Sequence, residues 1–492
     1  MKVLFATAEA APLAKVGGLA DVAGGLPGAL RSRSLDVRVI MPLYSLVDSA
    51  AHGLADTGVV FEARAEQRQR LAVRVWEGRI GTTPVSLLEE PQLLARSQIY
   101  GCPDDLARFT FFCRAVMQAC PQLGFRPDVI HANDWHTGLL PVWLKMKSGL
   151  DSFYRRTASV LTIHNLAFQG WFDEAFRGRW KIAPRSVVER KIAGVSLQSA
   201  LALGIRYADA VTTVSPTYAR EILTPEFGEG LDPLLAHRSS RGGLLFGIMN
   251  GIDVDRFDPS TDPHILPNYA GDSLERKLQV KMALQREAGL QVRPDVPLVG
   301  MVSRLTEQKG AELVPPAVEA LLQARELQLA VLGTGERGLE ETLAHLARRH
   351  PERVSVALRF DPDFAQRIYA GADLFLMPSR FEPCGLGQMI AMRYGTVPVV
   401  RSTGGLTDSV REWRASGNEG TGFTFERYGV ENLVQTLSAA LELFEDRPVW
   451  RAIQRRGMSA DFSWERSAAS YAGVYESALR AKAKMAKMAK ME

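Results

Sequence analysis

A short polar loop in the last third of the chain has residue types that could do chemistry. The apolar run Leu374–Met377 predicts a buried strand, residues 387–394 have helical spacing, and residues 397–400 predict a second strand. The loop between them, 379–387, contains Glu382, the thiol of Cys384 and two glycines. Open parallel sheets bind ligands at the carboxyl ends of their strands, and free N–H groups at helix starts favour anions. These residues indicate an anion site, although an ordinary connecting loop with an incidental glutamate fits equally well.

Cations follow two other predicted strand ends. Arg304 and Lys309 come directly after the apolar run 297–303, a position that suits a diphosphate, although two solvated loop cations are the alternative. Lys15 precedes Gly17-Gly18, where a helix is predicted to begin. Glycines at that point let the backbone approach a phosphate or a sugar closely, although the same residues are also typical of a flexible turn.

Two clusters of acidic and histidine side chains resemble metal sites. His131, Asp134 and His136 lie at the end of a strand, but His131 and Asp134 point to opposite faces and nothing nearby completes a tetrahedral set. Asp361 and Asp363 mimic a metal-binding Asp-x-Asp, but a proline separates them. We therefore expect no metal.

A glycine motif supports a rival function. Gly333–Gly338 spells Gly-x-Gly-x-x-Gly between a strand and a helix, and Asp361 lies near the end of the following strand, as in NAD-binding proteins. The motif normally follows the first strand of its domain, whereas here it follows the second. An NAD-dependent oxidoreductase remains the alternative from another functional class.

The exact spelling of the loops is more informative than their chemistry. The string Ser-Arg-Phe-Glu-Pro-Cys-Gly-Leu at 379–386 resembles the signature loop of the bacterial glycogen synthases and plant starch synthases. Lys-Val-Gly-Gly-Leu at 15–19 resembles the N-terminal motif of the same enzymes, and the segments 131–136, 162–166 and 304–310 also resemble theirs. The resemblance extends from about residue 1 to residue 480.

This resemblance implies a fold and an activity. The expected fold is α/β of the GT-B type, with two doubly wound Rossmann-like domains facing across a deep cleft. The expected activity is transfer of glucose from ADP-glucose to the non-reducing 4-OH of glycogen or another α-1,4-glucan, with retention of configuration. No cofactor, nucleic acid or membrane partner is implied. Another nucleotide-sugar enzyme of the same fold, such as an epimerase, remains an alternative.

The resemblance also assigns roles to residues. Arg304 and Lys309 hold the diphosphate, Glu382 orients the donor sugar or stabilises its developing positive charge, His164 lies beside the sugar, and Asp134 orients hydroxyl groups. The remaining expected donor-binding residues are Lys15, Gly18, Lys281, Asn250, Cys384, Gly385, Leu386, Thr403, Gly404 and Gly405, and those on the acceptor side are Asp21, Tyr100 and Asn165. Gly387 departs from the family pattern, since many relatives have threonine there.

Composition indicates an ordinary globular chain, with 46% hydrophobic and 23% charged residues. A net charge of +4 is too small to indicate nucleic acid, and four cysteines in 492 residues indicate reduced thiols and a cytoplasmic location. The predicted domains are 1–250, completed by a returning helix at 463–483, and 269–460. Residues 251–268 are a predicted linker and 484–492 a predicted frayed tail.

Overall fold

The chain divides into two compact units. The computed structural model describes residues 1–147, 151–183, 189–192, 195–240, 244–417 and 419–488. The first unit comprises Met1–Gly251 and Trp464–Glu492, and the second comprises Ile252–Ser463. Each unit has its own sheet and its own hydrophobic core.

The first unit is built on a nine-stranded sheet with the order β12-β11-β7-β6-β1-β2-β5-β4-β3. Its strands from β12 to β5 run parallel, and β4 and β3 extend the β5 edge in antiparallel fashion. A separate small sheet has the order β8-β10-β9. The strands are β1 (Lys2–Ala6), β2 (Asp36–Pro42), β3 (Ala55–Arg64), β4 (Arg70–Ile80), β5 (Thr83–Glu89), β6 (Val129–Asn133), β7 (Ala158–Ile163), β8 (Trp171–Asp173), β9 (Glu189–Ile192), β10 (Val195–Ser199), β11 (Ala210–Thr213) and β12 (Leu245–Gly247).

Helices cover both faces of this sheet. They are α1 (Gly18–Ser32), α2 (Asp105–Gln122), α3 (Asp134–Thr137), α4 (Leu140–Lys147), α5 (Glu174–Arg179), α6 (Ala200–Tyr207), α7 (Pro216–Glu221) and α8 (Asp232–Ser240). The central strand β1 explains why: Val3 and Phe5 belong to one core cluster and Leu4 and Ala6 to another. Because side chains alternate between the faces of a strand, an uninterrupted apolar strand requires packing on both sides.

The second unit is built on a six-stranded parallel sheet with the order β15-β14-β13-β16-β17-β18. Its strands are β13 (Leu298–Val302), β14 (Gln328–Leu332), β15 (Val354–Ala357), β16 (Leu374–Met377), β17 (Val397–Arg401) and β18 (Phe423–Phe425). Its helices are α9 (Lys277–Glu287), α10 (Val314–Ala324), α11 (Arg337–Arg349), α12 (Pro362–Gly371), α13 (Gly387–Arg393), α14 (Gly404–Ser409), α15 (Val430–Glu445) and α16 (Arg447–Met458).

Both units therefore have the doubly wound topology that the sequence predicted. In each, the first strand lies beside a strand that comes much later, so the strand order reverses at the pairs β1/β6 and β13/β16. Ligands of such sheets bind outside the carboxyl ends of the strands at this reversal. The topology alone thus selects the loops that follow β1, β6, β13 and β16.

The prediction of a linker at 251–268 is wrong for nearly all of that segment, because residues 252–268 belong to the second unit and pack within it. The hydroxyl of Tyr394 donates to the carboxylate of Asp262 at 2.5 Å, and Arg393 donates to the carboxylate of Asp258 at 2.9 Å. The sequence there is rich in Asp and Pro without periodicity, which is typical of linkers. Its aspartates are instead used as hydrogen-bond acceptors for the second unit.

The last helix, α17 (Trp464–Met488), packs on the first unit. Its face formed by Ala468, Tyr471, Tyr475 and Ala478 is buried in the core below β1 and β7. The helix extends to Met488, beyond its predicted end at residue 483, and residues 489–492 lie outside the described part. Lys, Met and Ala all have high helix propensity, and a helix with these residues can extend beyond its last packed turn.

Candidate active site

Two loops of the second unit meet where its strand order reverses. The loop 303–310 follows β13 and the loop 378–386 follows β16, and these strands are parallel neighbours. The backbone N–H of Arg380 donates to the carbonyl of Gln308 at 2.9 Å. Gly310 has φ +69°, and a Cβ there would lie 2.1 Å from the carbonyl oxygen of Pro378. Only glycine allows this approach, which joins the two loops directly.

The predicted residues Lys309 and Glu382 form an ion pair across these loops. Lys309 Nζ lies 2.5 Å from Glu382 Oε2, and the Ser379 hydroxyl donates to the same oxygen at 3.1 Å. The Glu382 side chain is only 6% exposed and that of Lys309 is 18% exposed. Arg304 is exposed beside them, with one hydrogen bond to Gln308 at 3.2 Å. The structure therefore brings together the three residues expected to handle the diphosphate and the sugar.

The loop after β17 supports Glu382 from behind. The N–H of Gly405, one of the expected donor-binding residues, donates at 3.0 Å to the carbonyl oxygen of Glu382. A Cβ on Gly404 would lie 1.9 Å from that same oxygen, and a Cβ on Gly405 would lie 2.2 Å from the carbonyl oxygen of Cys384. This amide therefore fixes the Glu382 backbone, and the assignment of Gly405 to the donor site stays a prediction. Thr403 precedes these glycines and is buried.

Gly387 lies at the start of helix α13, in a tightly packed position. Cys384 is buried, Gly385 has φ +72°, and Leu386 is the residue that caps the helix. A Cβ on Gly387 would lie 3.0 Å from a ring carbon of Phe375 and 3.3 Å from the hydroxyl of Tyr369. A threonine there would require these two side chains to shift by a few tenths of an ångström.

Lys281 does not lie at the site. Its ammonium is 2.6 Å from Asp373 and donates to the carbonyls of Pro294 and Val296 at 3.2 and 2.6 Å. These partners precede β13 and β16, so they lie at the amino ends of the strands, at the opposite edge from Arg304. The expectation that Lys281 binds the donor is wrong: this buried lysine stabilises the chain where the two strands begin.

The glycine motif 333–338 also has a packing explanation. A Cβ on Gly333 would lie 1.8 Å from the carbonyl oxygen of Ser303, and one on Gly335 would lie 2.1 Å from that of Leu305. These glycines let the loop after β14 lie against the loop after β13. Asp361 likewise serves as the N-cap of α12, accepting from the N–H of Phe364 at 2.9 Å. The packing of the two glycines and the capping role of Asp361 are thus explained without a bound dinucleotide.

Phe360 is a candidate that the sequence did not single out. It follows β15 at the carboxyl edge of the sheet and is 80% exposed, more than any other large apolar side chain in the described residues. A large aromatic ring left in solvent offers a flat surface for a planar ligand group. The only signal in the sequence was an aromatic residue directly after a predicted strand.

In the first unit, Asp134 and His164 are held together at the ends of the neighbouring strands β6 and β7. Asp134 has φ +54°, and its carboxylate accepts from the backbone N–H of His164 at 2.7 Å. Burial raises the pKa of Asp134 to about 7. Burial lowers the pKa of His164 to about 3, so this imidazole is neutral, and its Nε2 lies 2.9 Å from Asn133 Oδ1. A left-handed backbone at a non-glycine residue is typical of functional sites.

The loop after β1 carries Lys15 and Gly18. Lys15 Nζ lies 2.6 Å from Asp21 Oδ1, which places one predicted donor residue and one predicted acceptor residue in contact. Helix α1 begins at Gly18. Glu9, which the sequence analysis did not select, accepts from the backbone N–H groups of Val16 and Gly17 at 2.6 and 3.1 Å.

The remaining predicted residues of this unit also lie beyond strand ends. Asn250 follows β12 and is buried, and its Oδ1 has no hydrogen-bond partner among the described residues. The ring of Tyr100 lies 4.7 Å from that of His136. Asn165 uses its Oδ1 to accept from the N–H of Ala167 at 3.0 Å. Asn250 therefore has an amide oxygen available for a further partner.

Groups able to hold a metal are few in the described residues. One cluster is found, Cys102 with Asp104 and Asp105, and its carboxylates pair with Arg96 and Arg108 at 2.5 Å each. His131, considered above as a ligand, is hydrogen-bonded to Tyr475 and Thr162. Within the same residues, no helix has the length and apolar character needed to cross a membrane.

Comparison with known proteins places these loops in a family. Residues 2–237 match the family model of the starch synthase catalytic domain, and residues 286–456 match that of the glycosyl transferases group 1. The glycogen synthase of Moorella thermoacetica is 45% identical over 483 residues, covering 97% of each chain. That of Anaeromyxobacter dehalogenans is 46% identical over 485 residues, covering 96% of this chain and 99% of the relative. The chain belongs to the glycogen synthase and starch synthase family.

Solved structures agree with this family. The catalytic domain of starch synthase IV from Arabidopsis thaliana, bound to ADP and acarbose, is 33% identical with a TM-score of 0.89, covering 97% of this chain and 99% of that one. Sucrose-phosphate synthase from Thermosynechococcus elongatus, 18% identical with a TM-score of 0.60 and coverage of 96% and 98%, shares the fold. The fold is that of the GT-B glycosyltransferases, and the chain is a glycosyltransferase of this family.

Proposed function

We propose that the protein extends glycogen by transferring glucose from ADP-glucose to the non-reducing 4-OH of an α-1,4-glucan, with retention of configuration. The observation that carries the proposal is the Lys309–Glu382 pair, 2.5 Å apart beside Arg304 where the strand order of the second unit reverses. The named relatives support it, as does the starch synthase structure that holds ADP and acarbose. We propose a cytoplasmic location, because none of the four cysteines, all of which are described, forms a disulfide.

The second unit takes the donor. Breaking the bond between the sugar and the diphosphate leaves negative charge on the departing group, and fixed cations stabilise that charge as it grows. Arg304 and Lys309 supply those cations. Glu382 faces the sugar and stabilises the positive charge that develops at its anomeric carbon. Phe360, 80% exposed at the same edge, offers its ring to the adenine base.

The first unit handles the sugar and the acceptor. His164 is neutral, and its backbone N–H is fixed by Asp134 at 2.7 Å, so its carbonyl and ring are presented to the sugar in one orientation. Lys15 contributes a further cation for the diphosphate, and Asn250 offers its unpaired amide oxygen to a donor hydroxyl. Asp21, Tyr100 and Asn165 belong to the acceptor side.

A transfer assay tests this proposal. Radiolabelled ADP-glucose and UDP-glucose are compared on glycogen, and kcat/KM is expected to favour ADP-glucose by at least about ten-fold, or about 1.4 kcal/mol. Equal use of the two donors would contradict the choice of nucleotide and leave the transfer reaction standing. Absence of transfer from either donor would contradict the function itself.

A further inference from the structure

Glu9 is a buried carboxylate bound to the backbone of a loop that it does not belong to. It lies seven and eight residues before Val16 and Gly17, and its Oε2 accepts from their N–H groups at 2.6 and 3.1 Å. Its own backbone is fixed at the end of β1, where the Thr7 hydroxyl donates to the Glu9 carbonyl at 2.8 Å. A buried carboxylate with two amide donors is a strong anchor, because charge-assisted hydrogen bonds are roughly twice as strong as neutral ones.

The anchored segment is short and lies between two predicted donor residues. Lys15 comes directly before Val16, and Gly18, where α1 begins, comes directly after Gly17. Ala11 N–H also donates to the Ala20 carbonyl at 2.9 Å, which closes the loop on the first turn of α1. The segment that carries Lys15 is therefore held by Glu9 in the middle and by α1 at its end.

We propose that Glu9 is a positioning residue for the transfer reaction: its carboxylate fixes Val16 and Gly17 so that Lys15 and the start of α1 are held ready for the donor diphosphate. The proposal rests on the function proposed above. Glu9 touches no reacting group and acts only through the loop. Asp21 holds the Lys15 ammonium, but without Glu9 the backbone of the glycine-rich segment after Lys15 would have to be ordered when the donor binds, which would cost affinity.

The surroundings of Glu9 make this anchor sensitive to pH. The groups that face it are Asp21 on α1, Tyr100, Tyr44 and Asp134. Burial raises the pKa of Glu9 to about 7, against the lowering effect of the two backbone hydrogen bonds. The carboxylate is the better acceptor, so the loop is held most firmly above that pH.

A double-mutant cycle tests whether Glu9 acts through Lys15. Glu9→Ala is expected to lower kcat/KM for ADP-glucose at pH 8 by at least ten-fold, and to weaken ADP binding measured by calorimetry to a similar degree. In the Lys15→Ala background the same change is expected to cost less than three-fold, because the group that it positions is already absent. Glu9→Gln, whose amide oxygen still accepts, is expected to retain most of the activity and to lose the rise between pH 6 and 8.

Glu90 provides a matched control. It is also buried in the first unit and accepts from the N–H groups of Gln92 and Leu93 at 3.1 and 2.6 Å, away from Lys15. Glu90→Gln is expected to leave the pH profile unchanged. If the wild type is active and the effects of Glu9→Ala and Lys15→Ala are additive in both transfer and ADP binding, the proposed role of Glu9 is wrong. A wild type that binds ADP but transfers no glucose would instead contradict the proposed function, and the binding cycle would still decide the role of Glu9.

Discussion

At the scale of single residues, the pairing of Lys309 with Glu382 is the central feature of the candidate site. A charge that is only 6% exposed is tolerated in a protein when an opposite charge and a hydrogen bond compensate for its lost hydration. Here Lys309 and Ser379 provide that compensation. The pair also means that substituting either partner changes the electrostatic environment of the other.

We expect Lys309→Ala to lower kcat by about 10²–10³, comparable to the removal of one preorganised oxyanion donor. The KM for ADP-glucose should rise much less, because the ground-state diphosphate retains Arg304. Steady-state kinetics on glycogen would measure both constants. Arg325→Ala serves as a control, since it removes an ion pair between the end of α10 and the mostly exposed Glu442 on α15, and it should change kcat less than two-fold. A large rise in KM with kcat unchanged would show that Lys309 only binds the donor.

At the scale of elements, a chain of buried side chains joins α17 to the sheet of the first unit. On β6, Nδ1 of His131 lies 2.9 Å from the Tyr475 hydroxyl, and Nε2 of the same ring lies 2.6 Å from the Thr162 hydroxyl. Thr162 in turn lies 2.6 Å from the Thr212 hydroxyl on β11. Burial lowers the pKa of His131 to about 3, so the neutral ring joins helix and sheet.

Tyr475→Phe should therefore lower the free energy of unfolding of the first unit by about 1–3 kcal/mol, because it leaves a buried histidine nitrogen without a partner. Urea titration at pH 7.5 would measure the loss. Glu476→Gln, on an exposed position of the same helix, should change the free energy of unfolding by less than about 0.5 kcal/mol. Equal stability of Tyr475→Phe and the wild type would mean that apolar packing alone holds α17.

At the scale of the whole molecule, the buried titratable groups couple stability to pH in two directions. Burial lowers the pKa values of His131, His136 and His164 to about 3, so the unfolded chain binds more protons than the folded one below about pH 6.5. Their contribution to stability is present above that pH and falls on acidification. Glu9 affects stability in the opposite direction. Burial raises its pKa to about 7, so its contribution to the free energy of unfolding falls as pH rises from about 4.5 to 7.

Acidification from pH 7 to pH 5 should consequently destabilise Glu9→Gln more than the wild type, by about 1–2 kcal/mol, because the variant lacks the group that binds a proton on folding. Chemical denaturation at pH 5, 6 and 7 would provide both stability curves. Parallel curves for the two proteins would contradict the raised pKa of Glu9.

The whole reaction is also expected to need no metal. We expect Arg304 and Lys309 to take the place of a divalent cation at the departing diphosphate, so activity should survive exhaustive EDTA treatment. The test compares initial rates before and after chelation, with a metal-dependent glycosyltransferase treated in parallel. If EDTA abolished turnover and Mg²⁺ or Mn²⁺ restored it, the metal-free mechanism would be wrong, and Asp361 and Asp363 would have to be reconsidered.

The sequence by itself determined the features that depend on neighbouring residues. Apolar runs such as Leu374–Met377 predicted the strands, because a strand buried on both faces needs an uninterrupted apolar segment. The same local order put Arg304, Lys309 and Glu382 directly after strands. Since the carboxyl ends of parallel strands share one edge of a sheet, this order was enough to predict that they lie together.

Only the tertiary structure decided the features that depend on distant residues. The sequence predicted that Lys281 binds the donor, but its contact with Asp373 places it at the edge of the sheet opposite to Arg304. Glu9 belongs to no motif that predicts its contact with Val16. Gly333 and Gly335 fitted a dinucleotide pattern, but the carbonyls of Ser303 and Leu305 explain them. In each case the deciding contact joins two segments that are distant in the sequence. Strand order or the path of a loop brings those segments together, and local residue patterns contain no information about strand order or loop paths.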